Sequence, residues 1–376
     1  MTDNFDNNNS EDNDGRHSAS DANITEAELR ALATNIKRWA TELGFQQVGI
    51  TDTNLNEHRQ HLQRWLDHGY HGQMSYMEER KASRFQPALL QPATVRVISL
   101  RMDYLPSETD TIKLLDQPDK AYLSRYALGR DYHKLIRKRI AQLAEKINQH
   151  IGPRRQRPFV DSAPVLERAF AEKAGLGWIG KNTMLINSTA GSWFFLGELF
   201  TDLALPIDPI TPEKHCGSCR ACLDICPTDA FVGPFELDAR KCISYLTIEK
   251  SGDIPIELRD KMGNRVFGCD DCQLICPWNK FAKPSTESDF TPRHQLDQAE
   301  LVELLLWTED EFERYTRGSA IRRIGYEHWL RNLAVGVGNG NYSERAVNAL
   351  KTQASYSALV QEHAQWAIDK LLRKTQ

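Results

Sequence analysis

The chain has 376 residues, 51 acidic against 47 basic side chains and a formal net charge of −4. That length allows two or three domains with a substantial core, and so even a charge balance names no partner. Six acids (Asp3, Asp6, Glu11, Asp12, Asp14 and Asp21) stand against Arg16 alone in the first 22 residues, so the rest is slightly basic and a nucleic-acid partner is not excluded. No window approaches the roughly 18 apolar residues of a spanning helix. The N-terminus has neither the basic region nor the apolar core of a secretory signal. A soluble, cytoplasmic monomer without membrane contact is expected.

Residues 1–23 hold almost no apolar side chains and cannot bury enough surface to offset their ordering entropy, which predicts a disordered tail. Over 24–44 a capping box (Thr25 with Glu28), a stop at Gly44 and one apolar face (Leu29, Ala33, Ile36, Ala40, Leu43) predict a helix. "FQQVGIT" and "TVRVISLRM" read as strands, "DYHKLIRKRIAQLAEKINQH" as a helix with a basic start and "RPFVD" as a further strand. Residues 24–205 are therefore expected to form an α/β domain. Residues 206–285 hold all eight cysteines between proline-rich flanks. From 286 to 376 the pattern turns all-α, and its last part alternates short amphipathic helices and turns like a pair of HEAT-type repeats.

The cysteines form a local ligand set rather than the dispersed pairs of a disulfide framework. "CGSCRACLDICP" is C-x2-C-x2-C-x3-C-P, the bacterial ferredoxin run, in which three thiolates wrap one [4Fe–4S] cluster and the fourth serves a second. "CDDCQLICP" repeats it without its first member, since position 266 is Val, and Cys242 replaces the missing ligand. The set closes as Cys216, Cys219, Cys222 and Cys276 for one cluster and Cys226, Cys242, Cys269 and Cys272 for the other. Zinc also binds paired C-x2-C motifs, but the C-x3-C-P endings and the repeat favour iron–sulfur.

Asp161 ends the apolar run "PFV", where a rigid strand would hold a catalytic acid. The alternative is a cap on a helix expected over 162–174, with Pro164 in its first turn. "GLGWIGKNTML" is glycine-rich enough to let backbone approach a bulky ligand. "DYHKLI" lacks the glycine of the D-x-H-x-x-G cobalt-ligand motif, so His133 reads as a helix-face residue.

"LSRYALGRDYHKL" (123–135) and "FVDSAPVLERAFAEKAGLGWIGKNTMLI" (159–186), with the ferredoxin run after them and HEAT-like helices at the end, resemble epoxyqueuosine reductases over nearly the whole chain apart from the tail. The resemblance implies a cobalamin-binding α/β domain, a ferredoxin-like domain with two [4Fe–4S] clusters and an all-α HEAT-like C-terminal domain. It implies reduction of epoxyqueuosine to queuosine at the wobble base of a tRNA, fed by an unidentified low-potential electron donor. It further implies Asp161 as proton donor, with a pKa raised by burial. Corrin contacts are implied at Arg84, Ser124, Asp161, Lys181, Asn182 and Thr183. A reductive dehalogenase-like enzyme and a non-catalytic electron carrier are the competing readings; the first is commonly exported, and the second leaves the N-terminal 180 residues without a role. Residues 312–331, "FERYTRGSAIRRIGYEHWLR", carry Arg314, Arg317, Arg322, Arg323 and Arg331 against two glutamates, with Tyr315, Tyr326 and Trp329 interleaved. Phosphate contacts come from such side chains, and this segment is expected to grip the anticodon stem-loop.

Overall fold

Thr25 opens the first helix, Glu26–Glu42, through the expected capping box: the Glu28 amide donates to Thr25 Oγ1 at 3.3 Å and the Thr25 amide to Glu28 Oε2 at 2.8 Å. Gly44, at φ +90°, ends that helical stretch. The structure is a computed structural model that describes residues 24–106, 111–210 and 215–374. The expected tail, 1–23, lies outside the described residues.

Ten strands are present among them: β1 (Gln47–Thr51), β2 (Arg96–Asp103), β3 (Tyr122–Leu123), β4 (Gln156–Phe159), β5 (Trp178–Ile179), β6 (Leu185–Ile186), β7 (Phe194–Thr201), β8 (Phe231–Gly233), β9 (Glu236–Leu237) and β10 (Arg265–Phe267). The main sheet has the order β1-β2-β7-β4 and is antiparallel throughout. Strand side chains alternate between faces. Ile98, Leu100, Met102, Phe195 and Leu199 join the core under helices Glu26–Glu42 and Tyr132–Ile151. Val97 and Phe200 point the other way, into a smaller core with Phe170 of helix Glu167–Lys173. Because β2 and β7 are covered on both faces, they read as apolar runs rather than as alternating patterns. Gly197 lets helix Tyr132–Ile151 press onto β7, since a Cβ there would stand 2.6 Å from Ile140 Cδ1.

The sequence partition into successive domains is crossed by one segment. Residues 120–131 leave the main sheet: β3 pairs in parallel with β10 of the cysteine region, and Ala121, Leu123, Ala127 and Leu128 enter the core of the C-terminal helices. Beyond residue 290 every regular element is helical, with Gly325–Asn339 packed along Ala358–Arg373. No described helix is long and apolar enough to cross a membrane.

The same core corrects part of the basic-segment reading. Tyr326 and Trp329 are core residues rather than stacking platforms for bases. Arg331 is fully buried and donates to the carbonyls of Leu246, Lys250 and Gly252. It joins the helical and cysteine regions, and without it the buried Leu246 carbonyl would have no donor. Arg331→Leu should therefore destabilise the fold by roughly 1–3 kcal/mol, the cost of one orphaned buried acceptor; a denaturant titration checks this.

Candidate active site: a large cavity with a basic rim

Helix Tyr132–Ile151 starts at Asp131, whose carboxylate accepts from the His133 amide at 3.0 Å and faces His133 Nδ1 at 2.6 Å. The other ring nitrogen, Nε2, lies 3.2 Å from Asp161 Oδ2, and the Tyr132 hydroxyl donates to that same oxygen at 2.5 Å. The Tyr132 ring stacks on Phe195 of β7 at 3.8 Å between centroids, which fixes the hydroxyl. With both nitrogens facing carboxylates, His133 is an imidazolium. Burial alone would lower its pKa, but the hydrogen bonds to Asp131 and Asp161 outweigh burial and push it up to about 9. His133 is thus part of the site rather than a bystander on a helix face, and neither nitrogen is free to ligate a metal.

Asp161 departs from both sequence expectations. The following helix starts at Glu167, not 162, so Asp161 caps nothing. Its backbone sits at φ +46°, a left-handed conformation that non-glycine residues rarely adopt. The Asp161 amide donates to Glu167 Oε1 at 2.5 Å, which holds the turn. Its pKa is also displaced in the opposite sense from that expected. Burial pushes it up, yet hydrogen bonds from His133 and Tyr132 outweigh burial and hold the carboxyl below the ordinary range. Asp161 is half exposed, but to a cavity rather than to open solvent. At rest it is a carboxylate, and the proton sits next door on His133.

That cavity has a volume of about 1920 Å³, well above the roughly 300–1,000 Å³ of ordinary small-molecule sites. Arg84, Asp161 and Thr183 line it. Arg84 is only 7 % exposed, and its Nε has no hydrogen-bond partner. Thr183, like Asp161, adopts positive φ, +64°. The other three residues singled out in sequence lie elsewhere, against the cysteine loops. Ser124 is buried and donates to Asp270 Oδ1 at 2.5 Å, two residues before Cys272. Lys181 Nζ donates to the carbonyls of Gly217 and Cys219, and Asn182 Nδ2 to that of Cys272. The glycines of "GLGWIGKNTML" serve the chain itself: a Cβ at Gly177 would lie 2.1 Å from Ile186 O, so its bareness allows β5 and β6 to meet.

All eight cysteines are free thiols. Their neighbours divide them in two. Burial, then the proximity of Cys276, Cys216 and Cys219, pushes the Cys222 thiol up to about 11. Cys272, Cys242 and Cys226 form the second neighbourhood, with Cys269 beside Cys242, and the two neighbourhoods touch where Cys222 approaches Cys272. The division follows from a local repeat: the single turns Ala221–Asp224 and Asp271–Leu274 pack on each other, so the last cysteine of each run reaches the other set. Tetrahedral zinc, with Zn–S near 2.3 Å, needs sulfurs about 3.8 Å apart. Among the described residues, only Asp253, Glu362 and His363 bring three candidate ligand atoms within 4.8 Å of one another. Ser244 and Phe267, two residues from Cys242 and Cys269 respectively, line the cavity, so the second set lies close behind its wall without lining it.

The rim is basic. Arg314, Arg317, Arg322 and Arg323 all line the cavity that holds Asp161. Arg322 pairs with Glu313 and Arg323 with Glu249. Sequence reasoning missed Arg130, Lys134, Lys138 and Arg293, which line the same mouth from other elements. It also passed over Tyr132, Glu167 and Glu198.

A family model for a 4Fe-4S double cluster binding domain matches residues 215–279, and one for epoxyqueuosine reductase QueG matches residues 84–162. The epoxyqueuosine reductase of Pseudomonas aeruginosa is 62% identical over 347 residues, covering 92% of this chain and 96% of that protein. The chain belongs to the epoxyqueuosine reductase family, a family of oxidoreductases. The Escherichia coli member is 54% identical over 92% of this chain and 91% of its own length. A crystal structure of an epoxyqueuosine reductase with an epoxyqueuosine-modified tRNA-Tyr stem loop superposes with a TM-score of 0.82 at 28% identity, over 91% of this chain and 90% of that one. A Bacillus subtilis epoxyqueuosine reductase, described with the catalytic loop of an aspartate swung out of its active site, gives 0.83 at 27% with the same coverage.

The thiol division carries a prediction. Cys242 is supplied from outside both cysteine runs, so Cys242→Ala should remove one cluster and leave the other. Iron in anaerobically reconstituted protein should fall from about eight to about four per chain by the ligand logic of two four-iron clusters, as measured by iron analysis with electron paramagnetic resonance.

Proposed function

We propose that this chain reduces the epoxide of epoxyqueuosine, at the wobble position of a tRNA anticodon loop, to the alkene of queuosine in the cytoplasm. The reading is carried by one observation: Asp161 and the arginine rim open onto a single cavity, whose wall also includes Ser244 and Phe267, each two residues from a cysteine of the second set. The family and its solved member with a modified stem loop supply the substrate class.

The reaction takes up two electrons and two protons and releases water. Electrons from a low-potential donor enter at the set that includes exposed Cys219 and pass to the set of Cys242 and Cys269, whose near neighbours Ser244 and Phe267 line the cavity. The cavity also suits a corrin. It is large, it is walled by Tyr76, Met77, Leu166 and Phe267, and it presents Arg84 with an unused buried donor for a corrin amide or phosphate. Cobalamin bound there would supply the electrons at the carbon–oxygen bond. The protein's own residues manage the proton. Asp161 occupies the role that the Bacillus subtilis relative assigns to an aspartate on a movable loop. His133 Nε2, at 3.2 Å, first passes its proton to the Asp161 carboxylate, which then delivers it to the departing oxygen. The second proton, which completes the water, comes from solvent, which also reprotonates His133. An anticodon loop can splay one nucleotide into such a pocket, while the rim holds the flanking phosphates.

Asp161→Asn should lower turnover roughly 10²–10⁴-fold, the range for a missing general acid, with cluster content and tRNA affinity retained; single-turnover assays beside tRNA binding measure this. Arg317→Glu with Arg322→Glu should weaken stem-loop binding and flatten its salt dependence, by about 0.7–0.9 in slope for each phosphate no longer neutralised. Unchanged binding across a salt titration would move the docking site elsewhere.

A further inference from the structure

Behind Asp161 lie two carboxyls that the reaction does not use. Glu198 stands in the middle of β7, fully buried, on the face turned to helix Glu167–Lys173. Ser99 of β2, its cross-strand neighbour, donates to Glu198 Oε1 at 3.2 Å. Glu198 Oε2 has no donor. What faces it is the carboxyl of Glu167, whose Oε1 accepts the Asp161 amide.

Among the described residues no cation is hydrogen-bonded or ion-paired to either glutamate, and the charged groups around them are committed elsewhere. Arg168 donates to the Thr183 carbonyl, Arg84 reaches only the Tyr76 carbonyl at 3.5 Å, and His133 is held between Asp131 and Asp161. Arg84, Arg168 and His133 therefore act on Glu167 only through space, and Asp161 beside it is an anion. Two bare carboxylates facing each other, Glu198 sealed in the interior and Glu167 half-buried at the cavity wall, with a third close by, repel strongly, and the economical remedy is a proton between them. Burial raises both groups; the Asp161 charge raises Glu167 further, while the contact with Glu198 favours the ionised form of Glu167 and raises Glu198, as expected when the proton sits on Glu198.

We propose that Glu167 and Glu198 share a single proton and act together as a positioning device: Glu167 seats the strained Asp161 turn, and the shared proton keeps a second negative charge away from Asp161. This rests on the reading of Asp161 as proton donor, but the sharing itself can be seen without turnover. The unused oxygen of Glu198 is the mark of such a proton, since a carboxyl–carboxylate bond satisfies it where no protein donor does. The device is neutral in shape but not in pH. Both carboxyls are raised above their unfolded values, so the stabilisation from the shared proton is complete below the ordinary glutamate pKa. It is lost as pH rises through the pair's folded pKa.

The test is infrared spectroscopy of the anaerobically loaded protein. At neutral pH the wild type should show the C=O stretch of a protonated carboxyl, and the band should vanish on alkaline titration. Asp161→Asn should keep the band. Glu198→Gln should abolish it, because the Gln amide donates to Glu167 and leaves that group an ordinary carboxylate. A band that survives Glu198→Gln but disappears in Asp161→Asn would place the proton on Asp161 and overturn the pair. Absence of the band in the wild type would do the same. For positioning, Glu167→Ala should lower kcat about tenfold or more with KM and iron content unchanged, and Glu167→Gln, which still accepts the Asp161 amide, should restore it. Equal turnover in the Ala and Gln variants would refute the positioning role.

Discussion

An imidazolium held between two carboxylates at the start of a helix organises this molecule. Asp131 and Asp161 grip the two nitrogens of His133 from opposite sides. A helix N-terminus disfavours a cation by roughly 0.3–1 kcal/mol. A rise from 6.5 to about 9 corresponds to about 3 kcal/mol, so the carboxylates prevail. Other features follow from that need. Gly197 brings the helix against the sheet, Phe195 stacks under Tyr132, and the Asp161 turn accepts left-handed backbone to place its carboxylate. The strain of such a turn is on the order of 1–3 kcal/mol; the amide bond to Glu167 helps to offset it.

The cysteine region is bound to this framework by polar contacts rather than by a linker. Lys181 and Asn182 hold the carbonyls of both cysteine runs, and Ser124 and Tyr122 hold Asp270 between Cys269 and Cys272. Gly268, at φ +69°, brings that loop close to Ser124, where a Cβ would approach the Ser124 Cβ to 2.5 Å. Residues that the resemblance places around a corrin therefore fix the electron-carrying loops against the cavity. Their mutation should be read through cluster loading before cofactor affinity.

How much of this is legible in the sequence depends on range. Local signals hold: the Thr25 capping box and the Gly44 stop are visible because their partners lie within a few residues. The cysteine runs are visible because ligand spacing is itself local. The proton chemistry is not. "DYH" looks like any helix start, and only folding brings its histidine 3.2 Å from an aspartate 28 residues later. The family motif points to Asp161, but burial weighed without the donors that oppose it gives the wrong ionisation. Glu198 leaves a signal that is easily passed over, a glutamate inside the apolar run "FFLGELF". Of the five arginines in 312–331, pattern does not separate Arg331, fully buried, from the four that line the cavity.

The central claim is that the resting proton lies on His133 with Asp161 ionised beside it. The most direct measurement is an NMR titration of the His133 ring nitrogens in isotopically labelled protein, wild type against Asp161→Asn. In the wild type His133 should titrate near 9, with both nitrogens protonated at neutral pH. In Asp161→Asn its pKa should fall toward the ordinary histidine value. A wild-type His133 that is neutral at pH 7, or one that titrates identically in the two proteins, would contradict the account.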